Sequence, residues 1–215
     1  DTRVARAMSE WLLVVGIVLA AVSGVPGLFV SRNGHACERL FTAFMTLSAG
    51  FACGGATIAL AFRPSSPLVA RWSVPGGHLV LELDAITAMF VIQIAVIGAL
   101  GALYGLEYWP QSAHSQNGRK LRAFYGLLTG AMLLLVAARN AVLFLAGWEA
   151  MALAAFILIS TEDEKLAVRS VGYVYLVATR LGTLCLFAMF ALLGAASGSL
   201  DFADWPRALA SPLRD

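Results

Sequence analysis

This 215-residue sequence has little charge: only 13% of its residues are Asp, Glu, Lys or Arg, against roughly 25% in an ordinary soluble domain. Hydrophobic residues make up 60%, which is more apolar surface than a soluble domain of ordinary size can bury. The composition therefore excludes a typical soluble enzyme and indicates a lipid environment. Because the formal net charge is only +2, a nucleic-acid partner is not expected.

Cysteine and histidine are also scarce. The sequence has three of each, namely Cys37, Cys53, Cys185, His35, His78 and His114. The cysteines form no CxxC pair and no spacing that suits a metal ion, and the histidines fall in polar or glycine-containing connections. We therefore expect no metal site, no cofactor and no catalytic centre in this chain, since it also lacks a GxSxG motif.

Six apolar runs account for the hydrophobic content. They cover Trp11–Val30, Leu40–Phe62, Ala85–Leu106, Ala123–Ala138, Ala141–Ser160 and Val171–Gly194. A helix that crosses a bilayer needs about 20 residues, within a range of roughly 17–25, so only the fourth run is short. The sequence predicts an all-α membrane protein with six transmembrane helices, a single membrane domain over residues 1–215, and a polar tail over 195–215.

The connection between the second and third runs, residues 63–84, has a different pattern. It contains a Pro75-Gly-Gly turn, after which leucine alternates with other residues from Leu79 to Asp84. Alternation with a period of two beside such a turn favours a small β-hairpin lying on the membrane surface. An irregular loop is the alternative interpretation.

By these boundaries, Glu149 in the fifth run and Arg180 in the sixth are the only Asp, Glu, Lys or Arg residues inside the apolar runs. A charge at the centre of a membrane helix costs about 2.5–3.5 kcal/mol on insertion scales, and such residues often mark ion or proton paths. At 1.5 Å per residue both lie about 12–14 Å from the start of their run. Each therefore needs a specific reason to be there.

The chemistry of the two residues suggests a division of roles. A buried carboxyl with a movable cationic neighbour has a proton affinity that can be switched, so Glu149 is our candidate proton-transfer site. Arginine stays protonated, so Arg180 would act as an electrostatic modulator, and Gln93 in the third run could line a file of water molecules. The alternative is a static pair of Glu149 and Arg180 that only fixes helix packing.

Three segments resemble the antiporter-like proton-translocating membrane subunits. They are Leu83-Asp-Ala-Ile-Thr-Ala-Met-Phe, Phe144-Leu-Ala-Gly-Trp-Glu149-Ala-Met with Asn140 before it, and Tyr175-Leu-Val-Ala-Thr-Arg180-Leu-Gly-Thr. This family occurs in respiratory complex I, in group 4 nickel–iron hydrogenases such as formate hydrogenlyase, and in multisubunit cation/proton antiporters. The tail segment Ser197–Asp204 looks more like the hydrogenase 4 and formate hydrogenlyase branch.

The resemblance implies that Glu149 matches the buried glutamate of the family's fifth helix, which pairs in relatives with a lysine on the seventh helix. Relatives have about fourteen helices arranged as an inverted repeat, so this chain is expected to be the N-terminal part. Missing C-terminal helices or a companion chain would supply the lysine. One departure is Thr183, where complex I relatives often have Asp.

The resemblance also implies a function and a location. We expect a proton-conducting subunit, without redox chemistry of its own, in a respiratory or hydrogenase-type oxidoreductase complex with other membrane subunits as partners. The chain would lie in the inner (plasma) membrane with its N-terminus and its hairpin outside, although Lys and Arg counts divide evenly between the two sides. The alternative is a non-conducting membrane anchor or scaffold subunit with Glu149 and Arg180 as a structural pair.

Overall fold

The computed structural model describes residues 2–29, 35–62, 67–72, 78–114, 117–162 and 164–210, most of which are helical. The helices are α1 (Thr2–Val22), α2 (Pro26–Phe29), α3 (Ala36–Phe62), α4 (Ala85–Tyr108), α5 (Gly118–Ala137), α6 (Ala141–Ile159), α7 (Leu166–Ser197) and α8 (Trp205–Ala210). The strands β1 (Leu68–Arg71) and β2 (His78–Leu81) pair antiparallel, with Leu68 opposite Leu81 and Arg71 opposite His78. The predicted hairpin is therefore confirmed, while its Pro75-Gly-Gly turn lies outside the described residues.

Five of the described helices, α3 to α7, are long and apolar enough to cross a membrane. This confirms the predicted all-α membrane fold, but the first of the six predicted spans needs a correction. In place of one helix over Trp11–Val30, α1 ends at Val22 and contributes a shorter apolar stretch, Met8–Val22. The chain turns at Gly24, where a β-carbon would overlap the backbone of Ala123, and Pro26 cannot continue α1, because it lacks an N–H and its ring would clash with the Val22 carbonyl.

Helix α5 is longer than the 16-residue apolar run that predicted it, and it has the 20 residues that a membrane crossing needs. It begins at Gly118, before the basic segment Arg119-Lys-Leu-Arg122. Lys, Leu and Arg are good helix formers, so the helix extends through residues that a hydropathy boundary leaves out. This places Arg122 inside the helix bundle, where its side chain is buried.

Helices α1, α3, α4 and α5 form a packed group, to which α6 and then α7 are added on the α5 side. Helix α1 contacts α3 and α5, α3 contacts α4, α5 contacts α6, and α6 contacts α7. The main hydrophobic core lies where α1, α3, α4 and α5 meet, around residues such as Leu13, Ala52, Val91 and Leu133. Helix α7 packs mainly on α6 and α8, so it leaves a long apolar surface exposed.

The two ends of the bundle carry different structures. At one end, which we call the hairpin face, the extended joint between α5 and α6 lies between β2 and the chain after α7. Arg139 N donates to Val80 O over 2.9 Å, and Phe202 N donates to Arg139 O over 3.0 Å. At the other end, which we call the loop face, are the turns that begin at Trp109 and at Ser160.

Candidate functional site

Helix α6 begins at a fixed point on the hairpin face. Its N-cap residue, Asn140, is fully buried and accepts hydrogen bonds from Val142 N at 2.9 Å and Leu143 N at 3.4 Å. The amide group of Asn140 also donates to Asp201 Oδ1 over 2.6 Å. Because both sides of this residue are bonded, the start of α6 is held in place, and with it the depth of Glu149 below the hairpin face.

Glu149 and Arg180 are in direct contact across the seam between α6 and α7. Arg180 Nη1 donates to Glu149 Oε2 as a charge-assisted hydrogen bond. The Glu149 side chain is 26% exposed and the Arg180 side chain 40% exposed, so the pair is only partly covered by the rest of the described chain. Glu149 Oε1 is buried and has no hydrogen-bond partner among the described residues.

Next to this pair, on the side of the hairpin face, a second polar contact joins α6 to α7. Trp148 Nε1 donates to Thr183 Oγ1 over 3.1 Å, and the same hydroxyl donates to the backbone oxygen of Thr179 over 3.1 Å. Thr183 is buried. Because Trp148 and Glu149 of α6 are bonded to Thr183 and Arg180 of α7, the rotation of α6 relative to α7 is defined at the depth of Glu149.

Arg139, which could have extended to solvent, is bound in a cluster on the hairpin face. Its guanidinium donates to Glu82 Oε2 at 3.1 Å, to Asp84 Oδ2 at 2.9 Å and to Thr87 Oγ1 at 2.9 Å. Partial burial raises the pKa of Asp84, but the N–H of Thr87 and the Arg139 guanidinium outweigh it and hold this pKa below its usual value. The cluster ties the N-terminus of α4 to the α5–α6 joint.

A second ion pair lies buried near the loop face, and the sequence did not reveal it. Arg122 Nη2 is 3.3 Å from Glu38 Oε1 and 2.9 Å from Trp109 O, and Arg122 Nη1 donates to Gln111 Oε1 over 2.6 Å. Glu38 also accepts from Gln111 N. Both charged residues lie just outside the predicted apolar runs, so the hydropathy boundaries assigned them to loops, and no sequence pattern links positions 84 residues apart.

Gln93 lies away from the pair of Glu149 and Arg180. Its side chain is exposed on α4, a helix that packs on α3 and α5. Within the described parts of the chain, no three His, Cys, Asp or Glu side chains converge in a way that could hold a metal ion. Glu149 and Arg180 are therefore the sequence-predicted site residues that the fold brings together.

Comparisons with known proteins give the family. No protein-family model matches the chain. It is 33% identical over 159 residues to an uncharacterised protein of Mycobacterium tuberculosis, covering 74% of this chain and 24% of that protein. It is 28% identical over 147 residues to the hydrogenase-4 component B of Escherichia coli, covering 67% and 22%. It is 31% identical over 147 residues to NADH-quinone oxidoreductase subunit L of Mycobacterium tuberculosis, covering 65% and 23%.

These relatives are consistent with the antiporter-like membrane subunit family. Two solved structures share the fold of this antiporter-like chain. The archaeal membrane-bound sulfane sulfur reductase complex matches with a TM-score of 0.72 at 20% identity, over 88% of this chain and 28% of that chain. The Mrp complex of a Dietzia species matches with a TM-score of 0.73 at 23% identity, over 92% and 20%.

The antiporter-like chain spans about a quarter of the length of the curated relatives it matches, between 22% and 24%. Its five apolar helices and its relatives make it a multi-pass membrane protein. The prediction of an antiporter-like membrane subunit, of the kind found in respiratory and hydrogenase complexes, is confirmed.

Proposed function

We propose that this chain is part of a proton-conducting subunit of a respiratory or hydrogenase-type oxidoreductase complex, with Glu149 as the protonatable site within the membrane. Arg180 is the electrostatic modulator, and the chain itself carries no redox centre. Electron transfer in partner subunits would change the field at Glu149, and the carboxyl would take up and release a proton in response. Inner-membrane location and an outward-facing hairpin are parts of the same proposal.

The observation that carries the proposal is the asymmetric environment of the Glu149 carboxyl. Oε2 is bonded to Arg180, whereas Oε1 is buried without a hydrogen-bond partner in the described part of the chain. Buried polar atoms are nearly always satisfied, and an unsatisfied one is typical of a functional group or of a site that a water molecule occupies. A carboxyl with one committed and one uncommitted oxygen can receive a proton without first losing its salt bridge.

The proposal also includes a second cationic side chain near Glu149. Arg180 keeps its charge at all physiological pH values, so a second group must approach or withdraw if the proton affinity of the carboxyl is to alternate. We propose a lysine from helices outside this sequence, covering the exposed surface of α7. Gln93 would line water only where another helix covers α4.

A scaffold subunit is the second candidate, because the contact between Glu149 and Arg180 could serve only to join α6 to α7. The two side chains are 26% and 40% exposed, so removing one partner costs less than it would in a fully buried pair. A scaffold role predicts that Glu149→Gln weakens or loses the assembled complex, since neutral Gln cannot balance the guanidinium. A proton-conducting role predicts that the complex assembles and that transport fails.

The experiment measures proton pumping in inverted vesicles that contain the full-length chain in its native complex. Glu149→Gln is compared with Glu162→Gln, a change of an exposed side chain at the loop-face end of α6. We expect normal assembly in both, with pumping abolished only in Glu149→Gln. Normal coupled pumping by fully assembled Glu149→Gln would end the proposal, and loss of assembly would favour the scaffold.

A further inference from the structure

The seam between α6 and α7 differs in chemistry on the two sides of Glu149. Toward the loop face, α7 presents Gly172 and Thr179, seven residues apart and so on one side of the helix; Thr183 is on the same side but lies beyond Arg180, toward the hairpin face. A β-carbon on Gly172 would lie 2.5 Å from Ser160 Oγ, so the hydroxyl of Ser160 points at this side. The seam therefore carries hydroxyl groups between Glu149 and the loop face.

Toward the hairpin face, the same seam is filled with aromatic rings. Phe190, seven residues beyond Thr183 and 5% exposed, meets Phe144 of α6 edge to face, with centroids 5.5 Å apart. Phe202 and Trp205 from the chain after α7 complete the group, with centroids 4.6 Å apart and both within 5.8 Å of Phe190. We call Phe144, Phe190, Phe202 and Trp205 the aromatic cluster.

On one side, the aromatic cluster contacts the residue that precedes Glu149. Phe144 stacks against Trp148 with centroids 6.3 Å apart, and Trp148 is the residue that precedes Glu149 and bonds to Thr183. Leu145, Leu186 and Leu193 pack around the rings. Beyond the contact of Trp148 with Thr183, the seam toward the hairpin face is thus filled by aromatic rings and leucine side chains, and the one polar side-chain atom of the aromatic cluster, Trp205 Nε1, is bonded to Ser199 O.

On its other side, the cluster packs against Leu200, which lines an open cavity on the hairpin face. This cavity, of about 510 Å³, is lined by residues that include Asn140, Gly194, Ser199 and Asp201. Its walls contain hydroxyl, amide and carboxylate groups, which suit water. The aromatic cluster, together with Leu200, therefore lies between this polar surface cavity and Glu149 along the α6–α7 seam.

We propose that the aromatic cluster is a seal that prevents protons from moving between Glu149 and the hairpin face along the α6–α7 seam. Phe144, Phe190, Phe202 and Trp205 are positioning and barrier residues that do not bind the proton. Proton transfer over several ångströms needs a chain of hydrogen-bonding groups or water molecules, and four packed rings interrupt it. This inference rests on the proposed role of Glu149, because a seal matters only where the carboxyl exchanges protons.

The size of the rings makes the proposal testable. One phenyl ring occupies several times the roughly 30 Å³ that a water molecule takes up in the liquid. Phe190→Ala would therefore open room for water between the cavity and Trp148, whereas Phe190→Leu would refill most of it. Phe187, three residues earlier on the same helix, is 51% exposed, so Phe187→Ala is a matched control that removes the same ring outside the seam.

The experiment measures passive proton flux into vesicles that contain the assembled complex, with an imposed pH gradient and an entrapped pH-sensitive dye. We expect Phe190→Ala to raise the flux several-fold, Phe190→Leu to stay near the wild type, and Phe187→Ala to change nothing. Adding Glu149→Gln to Phe190→Ala should abolish the extra flux, because the leak passes through the carboxyl. If Phe190→Ala fails to assemble, Phe202→Ala, at the turn after α7, is used with the same expectations.

Two results would overturn the seal. One is an assembled Phe190→Ala or Phe202→Ala complex with wild-type flux. The other is extra flux that persists when Glu149→Gln is added, which would indicate a general defect in packing. Both are distinguishable from failure of the proposed function, because that failure appears as normal coupled pumping in Glu149→Gln alone, whatever the state of the aromatic cluster.

Discussion

Replacing Arg122 by methionine should destabilise the protein more than any change of an exposed charge. The side chains of Arg122 and Glu38 are 4% and 5% exposed, so removing the guanidinium leaves a buried carboxylate whose remaining contacts include Gln111 N and His35 Nδ1. Such a change commonly costs about 3–5 kcal/mol. Arg122 also donates to Gln111 and to the backbone of Trp109, which favours the upper part of that range.

The matched control is Lys165→Met. Lys165 Nζ lies 2.7 Å from Glu162 Oε2, but these side chains are 63% and 45% exposed. Exposed pairs contribute about 0–1 kcal/mol, so the two substitutions remove the same kind of contact in opposite environments. The double variant Glu38→Gln/Arg122→Met should recover part of the loss, because it also removes the buried charge.

The assay is thermal unfolding of the purified protein in detergent micelles. At about 2–4 °C per kcal/mol for a chain of this size, Arg122→Met should lower the Tm by about 6–20 °C, and Lys165→Met by at most about 4 °C. A Tm for Arg122→Met no lower than that of Lys165→Met would refute the assignment of Arg122 and Glu38 as a buried, energetically important pair.

Three further changes test other contacts. The lowered pKa of Asp84 means that its ionised form stabilises the fold above the pKa of the unfolded chain, and that this contribution is lost as the pH falls through the folded value. Arg139→Gln should therefore shift the onset of acid unfolding to higher pH, and an unchanged stability–pH profile between about pH 3 and 6 would contradict this. Asn140→Ala should cost about 0.5–2 kcal/mol as a lost N-cap, measured as a lower Tm, and an unaltered Tm would show that the cap is dispensable. Gly126→Ala should reduce folded yield because its β-carbon would meet the backbone of α1, whereas Gly54→Ala, with open space around it, should not; equal yields would argue against this helix contact.

The sequence was sufficient for features that depend on local pattern. Hydropathy predicted α3, α4, α6 and α7 close to their bounds, because twenty apolar residues in succession have few alternatives to a membrane helix. The alternation from Leu79 to Asp84 predicted β2 for an equally local reason. The ends of α1 and α5 were missed because hydropathy alone takes no account of Gly24 and Pro26, which end α1, or of the basic residues of α5, which are helical without being apolar.

Features that depend on the arrangement of helices could not be predicted in the same way. Glu149 and Arg180 were identified as charges inside apolar runs, but whether they meet depends on helix rotation, which the contact between Trp148 and Thr183 defines. The pair of Glu38 and Arg122 is formed by residues on different helices with no shared motif. The aromatic cluster likewise gathers rings from α6, α7 and the following turn.

The most direct test of the central claim is infrared difference spectroscopy of the assembled complex, which follows the C=O stretch of protonated carboxyl groups during turnover. Our account predicts a carboxylic-acid band that appears and disappears with turnover, shifts in Glu149→Asp and is lost in Glu149→Gln. The same band at full intensity in Glu149→Gln would contradict the claim that Glu149 takes up and releases the proton.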